Sequence, residues 1–322
     1  PPLQLRTIVF AKWLHKARQS GYPYFVASFR GGTLNPNLSL FPGRTSVDQE
    51  VWDARKRSCA HRLLNGAGQA MLVAYREEPA INLTAVAHGI AADGSLVVAA
   101  ADPMLIEVLA SRDVDAMDVR VSIEKESPDP TVEIVASAVH FLGTARWLPL
   151  EETTEAVAAG VLPDRVAAIA SAPGGCLAVV SMERVLLHDA AGVTPVSWEE
   201  VCRQGCEAEA EAAGGGDLFA DSFGELLGLD VLSSFGCDSV NELFGAVMLG
   251  IVPGALLARQ PVRISCEHVQ TAVLCVDIDR TGLTLMRVSR DEAVTAFVPF
   301  AAPVVEGGEL AREIGRLIEL GS

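Results

Sequence analysis

The chain of 322 residues is long enough for two domains with cores of their own, and with 50% of it apolar and 20% charged it is not disordered throughout. Its 25 basic and 41 acidic side chains leave a net charge of −16. An acidic body repels phosphate backbones and anionic lipid, so the composition argues against nucleic-acid and membrane partners outside the N-terminal arm.

That arm is the exception. Residues 1–57 hold nine Lys/Arg against three Asp/Glu, whereas residues 206–322 contain no lysine. The arm is expected to dock on the acidic body of its own or a neighbouring subunit, with a contact to an external protein partner as the other reading. Within it, Arg6–Gln19 carries apolar residues at helical spacing and stops at Gly21-Tyr22-Pro23. Residues 31–46 read as a linker, and Val47–Leu64 as a helix bearing Arg55, Lys56, Arg57 and Arg62.

From Gln69 the apolar period changes from helical to alternating, which marks strands. Gln69–Tyr75, Ile81–Ala91 and Ser95–Ala100 follow in succession, the last two joined by the hairpin signal Ala92-Asp93-Gly94. Pro103–Ala110 is a short helix with proline in its first turn. Val119–Lys125 and Thr131–Trp147 are strands around a Ser127-Pro128-Asp129-Pro130 turn. Glu151–Ala170 is expected to be helical, then Cys176–Ser181, Arg184–His188 and Val193–Val196 to be strands, then Trp198–Ala213 a helix. The run Gly214-Gly215-Gly216 marks a domain boundary. Beyond it come helices across Ser222–Ala258, strands at Arg263–Val276, Leu283–Val288 and Thr295–Pro299, and a closing helix at Gly308–Leu320.

Seven cysteines at irregular spacing do not form a disulfide framework, so a reducing compartment is expected. The longest apolar run, near Leu243–Ala258, is interrupted by Gly245, Gly250, Pro253 and Gly254 and falls short of a bilayer span. Thr7–Leu14 lacks the cleavage pattern of a secretory signal. Cytoplasmic residence is the resulting expectation.

The succession of helix, three strands, short helix, two long strands and further strands after a helix resembles the pyridoxamine-phosphate-oxidase-like split barrel. Ala85–Asp102 and Thr131–Leu148 carry most of that likeness. Residues 271–320 resemble the C-terminal domain of HugZ-type haem oxygenases, through Asp277-Ile-Asp-Arg-Thr-Gly-Leu-Thr-Leu, Phe297-Val-Pro-Phe and the terminal helix. The resemblance, which covers about residues 55–322, implies an α+β protein: an FMN-binding-type split β-barrel over 55–213 and a small α+β C-terminal domain over 214–322, preceded by the basic N-terminal extension over 1–54. It also implies a homodimer with any ligand at the dimer interface.

The family includes flavin oxidases, chloroplast proteins that bind glutamyl-tRNA reductase, and haem oxygenases, so site residues must choose among them. An FMN phosphate needs charge-assisted partners, yet no basic residue lies between Arg76 and Arg112, which argues against FMN. Haem needs an axial ligand, normally histidine, and cations for its propionates. Met182–Ala190 lies where HugZ-type barrels place a Gly-Arg-Phe-Val strand along the haem pocket. By that likeness Arg184 matches the family's arginine and would serve a propionate or iron-bound oxygen, with His188 as the candidate iron ligand. The plainer reading is a surface Arg and His at a strand end. His140 shares its parity with Ile134, Ala136 and Ala138, so it is first a core or interface histidine and second a haem ligand.

His88 is expected to be solvated and His61 to lie on a helix surface; His15 and His268 have no supporting context. The family's His-x-Asn-x-Asp-His segment matches Ser234-Phe235-Gly236-Cys237-Asp238-Ser239, where both histidines are serine and the serine and aspartate oxygens suit a helix cap. Cys237 reads as a buried structural cysteine. No cysteine spacing matches a zinc site. Two functions remain: a haem-binding protein, with haem degradation as the family's further activity, and a non-catalytic interaction or regulatory protein that has lost its cofactor.

Overall fold

The structure is a computed structural model describing residues 26–27, 47–78, 80–111, 116–128, 133–211, 218–219, 222–261 and 272–322. The expected helix Arg6–Gln19, the linker 31–46 and the strand start at Arg263 fall outside the described residues.

Six strands, β2 (Gln69–Ala74), β3 (Ile81–Ile90), β4 (Leu96–Ala100), β5 (Ala116–Glu126), β6 (Glu133–Trp147) and β7 (Cys176–Ser181), form a closed antiparallel barrel. Their order is β5-β2-β3-β4-β7-β6, and β5 pairs with β6 to complete the ring. Closure leaves these strands few free edges. The alternation read in the sequence is what fills the barrel: along β5, Met117, Val119, Val121 and Ile123 are buried while their neighbours are not. The α+β class and the barrel agree with the resemblance.

The 15 residues of β6 serve two partners in turn. Thr144–Trp147 pairs with β7, and Ser137–His140 pairs with β8 (Arg184–Asp189), which continues into β9 (Gly192–Ser197). A two-residue strand, β1 (Val26–Ala27), runs parallel to the start of β6 at Glu133–Ile134.

Helix α1 (Gln49–Leu64) adds Cys59, Ala60, Leu63 and Leu64 to the barrel core, and α2 (Pro103–Ser111) adds Leu105. The single helix expected over Glu151–Ala170 is two, α3 (Leu150–Ala158) and α4 (Asp164–Ala170). Gly160 at φ +66° ends the first, and Pro163 stands just before the second, where a prolyl ring is tolerated. These helices cover the outer face of β3, β4 and β7 through a small-residue core of Ala87, Ala91, Val97, Ala99, Val166, Ala170 and Leu177. Helix α5 (Trp198–Glu211) packs on α1.

A second antiparallel sheet has the order β10-β13-β12-β11, from β10 (Ala255–Pro261), β11 (Val273–Asp279), β12 (Gly282–Val288) and β13 (Glu292–Pro299). The helical stretch expected to reach Ala258 ends earlier: α6 (Ser222–Ser234) and α7 (Cys237–Leu249) stop at Gly250, φ +73°, and Ala255 onward is strand. With α8 (Gly307–Gly321), these helices cover one face of the sheet around Phe244, Leu283, Leu285 and Val298. Burying Phe244 alone stabilises by roughly 1.5–3 kcal/mol. The opposite face meets the barrel, where Ile134 packs with Leu274, Val276, Met286 and Val288. Among the described residues, no helix is long and apolar enough to cross a membrane.

Candidate functional site

Strand register lays out a surface on the outside of the barrel. One row crosses five strands as Met71, Ser122, His140, Leu186 and Pro195, and the next runs Gln69, Glu124, Ala138, His188 and Val193. Val185 and Leu187 point into the core, so Arg184, Leu186 and His188 share the outward parity, as do Arg120, Ser122 and Glu124 on β5. Leu142, Leu186 and Val193 are 63%, 41% and 50% exposed on this face. These exposed apolar side chains lie beside Arg120, Glu124 and Arg184 on the same face.

His140 and His188 meet on it edge to face, their ring centroids 4.7 Å apart. The His140 Nδ1 is 2.8 Å from the Ser122 hydroxyl. Burial, then the neighbouring His188, hold the His140 imidazole below the usual histidine range, so it is neutral at pH 7. In the tautomer whose Nδ1–H donates to Ser122 Oγ, the lone pair of Nε2 is left for a metal, an orientation that metal-ligating histidines commonly use. Arg184 is exposed and, like Arg120, is held in no ion pair among the described residues.

The sequence thus placed Arg184, His188 and His140 on strands, and the structure brings the two histidines into contact. Ser122 and Arg120 were not singled out; the signal was available, because both oppose the buried parity of β5 and neighbour β6 in the register. His88 differs from its expectation. It is 3% exposed at the end of the barrel core, and its Nε2 lies 2.7 Å from the Leu63 carbonyl. The polar neighbours Asn82 and Thr84 misplaced it, because the β2–β3 register shifts between Ala70 and Leu72 and changes the inward parity along β3. His61 is half-buried against Gly205 of α5.

The family's histidine segment is the junction of α6 and α7. Ser234 ends α6 and donates to the Val231 carbonyl, while Gly236 caps α7 with no side-chain hydrogen bond, so the expected serine and aspartate cap is absent. Cys237 is exposed and not the buried cysteine expected. Among the described residues no group of three or more His, Cys, Asp or Glu side chains could hold a metal ion.

A second charged constellation lies between barrel and C-terminal sheet. Arg62 of α1 places Nη2 2.9 Å from Asp277 and donates through Nη1 to Glu225. Lys125 of β5 reaches Asp277 at 2.9 Å and Glu225 at 3.1 Å. Asp279 accepts from Ser58 at 2.8 Å and from Thr281. Burial would raise the Asp277 carboxyl, but Arg62 and Lys125 outweigh it and hold Asp277 well below the usual carboxylate range. Among the described residues the Glu225, Asp277 and Asp279 carboxylates are all engaged by Arg62, Lys125, Ser58 or Thr281, so the cluster is a junction, set where Asp277–Leu285 carried the family resemblance.

No protein-family model and no curated protein matches the chain. Among solved structures, it is similar to a heme binding protein from Mycobacterium smegmatis, with a TM-score of 0.45 and 18% identity over 86% of this chain and 99% of that one. It is also similar to a protein of unknown function from Agrobacterium tumefaciens, with a TM-score of 0.33 and 16% identity over 86% of this chain and 98% of that one.

Proposed function

We propose that the protein binds haem on the outer barrel face at His140 and His188, with a second copy of the chain covering that face. The observation that carries this reading is the contacting histidine pair on an exposed apolar sheet. One imidazole would ligate the iron, and the Ser122 hydroxyl would orient His140. Arg184 and Arg120 would neutralise propionates. Leu142, Leu186 and Val193 would lose water against the porphyrin and the second copy. Bound haem supplies a redox-active iron; the chain supplies a neutral nitrogen ligand, cations and an apolar cover. On this reading the chain divides into the arm 1–54, then the barrel 55–213 and the C-terminal domain 214–322, the last two as in the HugZ-type proteins it resembles.

Binding is favoured over haem degradation because serines 234 and 239 stand where that family has histidines. The same replacement supports the second reading, a non-catalytic interaction protein that uses the barrel face for dimerisation and the basic arm for a protein partner. Haemin titration separates them. A saturable Soret band is expected at micromolar haemin, reduced or shifted in His188→Ala and His140→Ala. No Soret change, with a dimer persisting in sedimentation, would replace haem binding by the interaction reading.

A further inference from the structure

Helix α3 turns the stripe Leu150, Thr153, Thr154 and Val157, spaced i, i+3, i+4 and i+7, toward a cavity of about 460 Å³. The cavity is bounded by Ile106 of α2 and by the Ala170–Cys176 turn that leads into β7, and it opens to solvent at a rim where Leu150, Thr154 and Ser171 are exposed. It continues the small-residue core beneath α3 and α4, where Val157 and Ala170 belong to both. Alanines at that site leave volume that larger side chains would have filled. A void of about 150 Å³ lined by aliphatic groups holds benzene, so this larger, half-open space admits a small ring.

The polar groups define what could enter. Thr154 donates its hydroxyl proton to the Leu150 carbonyl at 2.7 Å, and Ser171 donates to the Ala167 carbonyl at 2.7 Å. The Cys176 thiol points to the Gly174 carbonyl at 3.9 Å. These groups therefore present lone pairs. Thr153 is only 4% exposed, lines the cavity and has no hydroxyl partner among the described residues. Its hydroxyl opens on the cavity and can accept from a ligand there. No cation lines the cavity, and Glu151, Glu152 and Glu155 stand on the other faces of α3, which disfavours carboxylates and phosphates. Leu150, 78% exposed at the rim, offers apolar surface to whatever enters.

We infer that this cavity is a second ligand site, distinct from the histidine face, for a small uncharged, mostly apolar molecule carrying one N–H or O–H group, of the indole or phenol type. The N–H or O–H is accepted by Thr153 with Thr154 or Ser171 beside it, and the ring lies against Val157, Ile106 and Leu150.

The test uses the full chain and indole as probe, followed by ligand-observed NMR. Saturable indole binding is expected, with affinity at least fivefold weaker for 1-methylindole, which lacks the donor, and none for indole-3-carboxylate. Thr153→Val, which keeps the shape and removes the hydroxyl, should weaken indole by about fivefold and leave 1-methylindole unchanged. Val157→Trp should fill the cavity and abolish binding; if it does not fold, Leu150→Glu at the exposed rim serves in its place with an expected loss of at least threefold. Absence of saturable indole binding, or equal affinity for 1-methylindole, or indifference to Thr153→Val, would overturn the assignment.

Discussion

His88 shows how a single buried titratable group ties stability to pH. Burial pushes its imidazole below the usual histidine range, and only then do carbonyl partners such as Leu63 pull it back. The unfolded chain takes up a proton near pH ~6.5 that the folded protein refuses, so stability falls as pH drops through that window and is level above it. His140 acts with the same sign. Asp277 acts at the acid end: its stabilisation is present above the ordinary carboxylate range and is lost only as pH falls through its much lower folded value. Urea unfolding at pH 5 and pH 8 should therefore show a smaller difference for His88→Asn than for the wild type, although the variant is less stable at both. An unchanged difference would mean that His88 takes up its proton alike in the folded and the unfolded chain. His88 was the residue least legible in the sequence, because a one-residue slip in pairing exchanges the two faces of a strand.

At the scale of elements, two glycines separate conformational strain from steric closure. Gly68, just before β2, has φ +83°, and a Cβ there would lie 2.4 Å from the Glu124 carbonyl oxygen on β5. Gly94, in the β3–β4 turn, has φ +80°, but a Cβ would meet nothing within 4 Å. Gly94→Ala should cost about 1 kcal/mol from the left-handed backbone alone. Gly68→Ala should cost about 2–4 kcal/mol, because the β2–β5 ladder must also shift. Thermal unfolding of the two variants checks the order; equal losses would remove the steric argument. The strands themselves were readable because alternation needs only local sequence. Strand β10 was not, since Ala255–Pro261 has no strong alternation and pairs with β13, which lies about 30 residues further along the chain.

At the scale of the molecule, the buried charges join the two sheets. Arg62 and Lys125 come from the barrel side, Glu225, Asp277 and Asp279 from the C-terminal side, and nearby Arg55 pairs with Asp189 at 2.6 Å while stacking over Trp52 and Phe297. Removing one partner strands the others in a low-dielectric interior. Arg62→Met should cost about 3–5 kcal/mol. It should also split a single unfolding transition into two in calorimetry, because the C-terminal sheet then loses its hold on the barrel. A single transition at unchanged midpoint would show that Ile134 and its apolar neighbours suffice.

Legible in the sequence alone were the alternation of the barrel strands apart from the parity change in β3, the acidic body with its basic arm, and Arg184, His188 and His140 as strand residues. Those features depend on neighbours a few positions apart. Only the tertiary structure decided that β5 meets β6 to close the barrel, that His140 and His188 touch, that Lys125 continues an inward parity into a cluster of carboxylates, and that α3 faces a cavity. Apart from the turn end of the β5–β6 pair, these join residues separated by tens to hundreds of positions, and no local pattern of side chains encodes such a distance. Partners at that range are chosen by packing, register and the need of buried charges for one another.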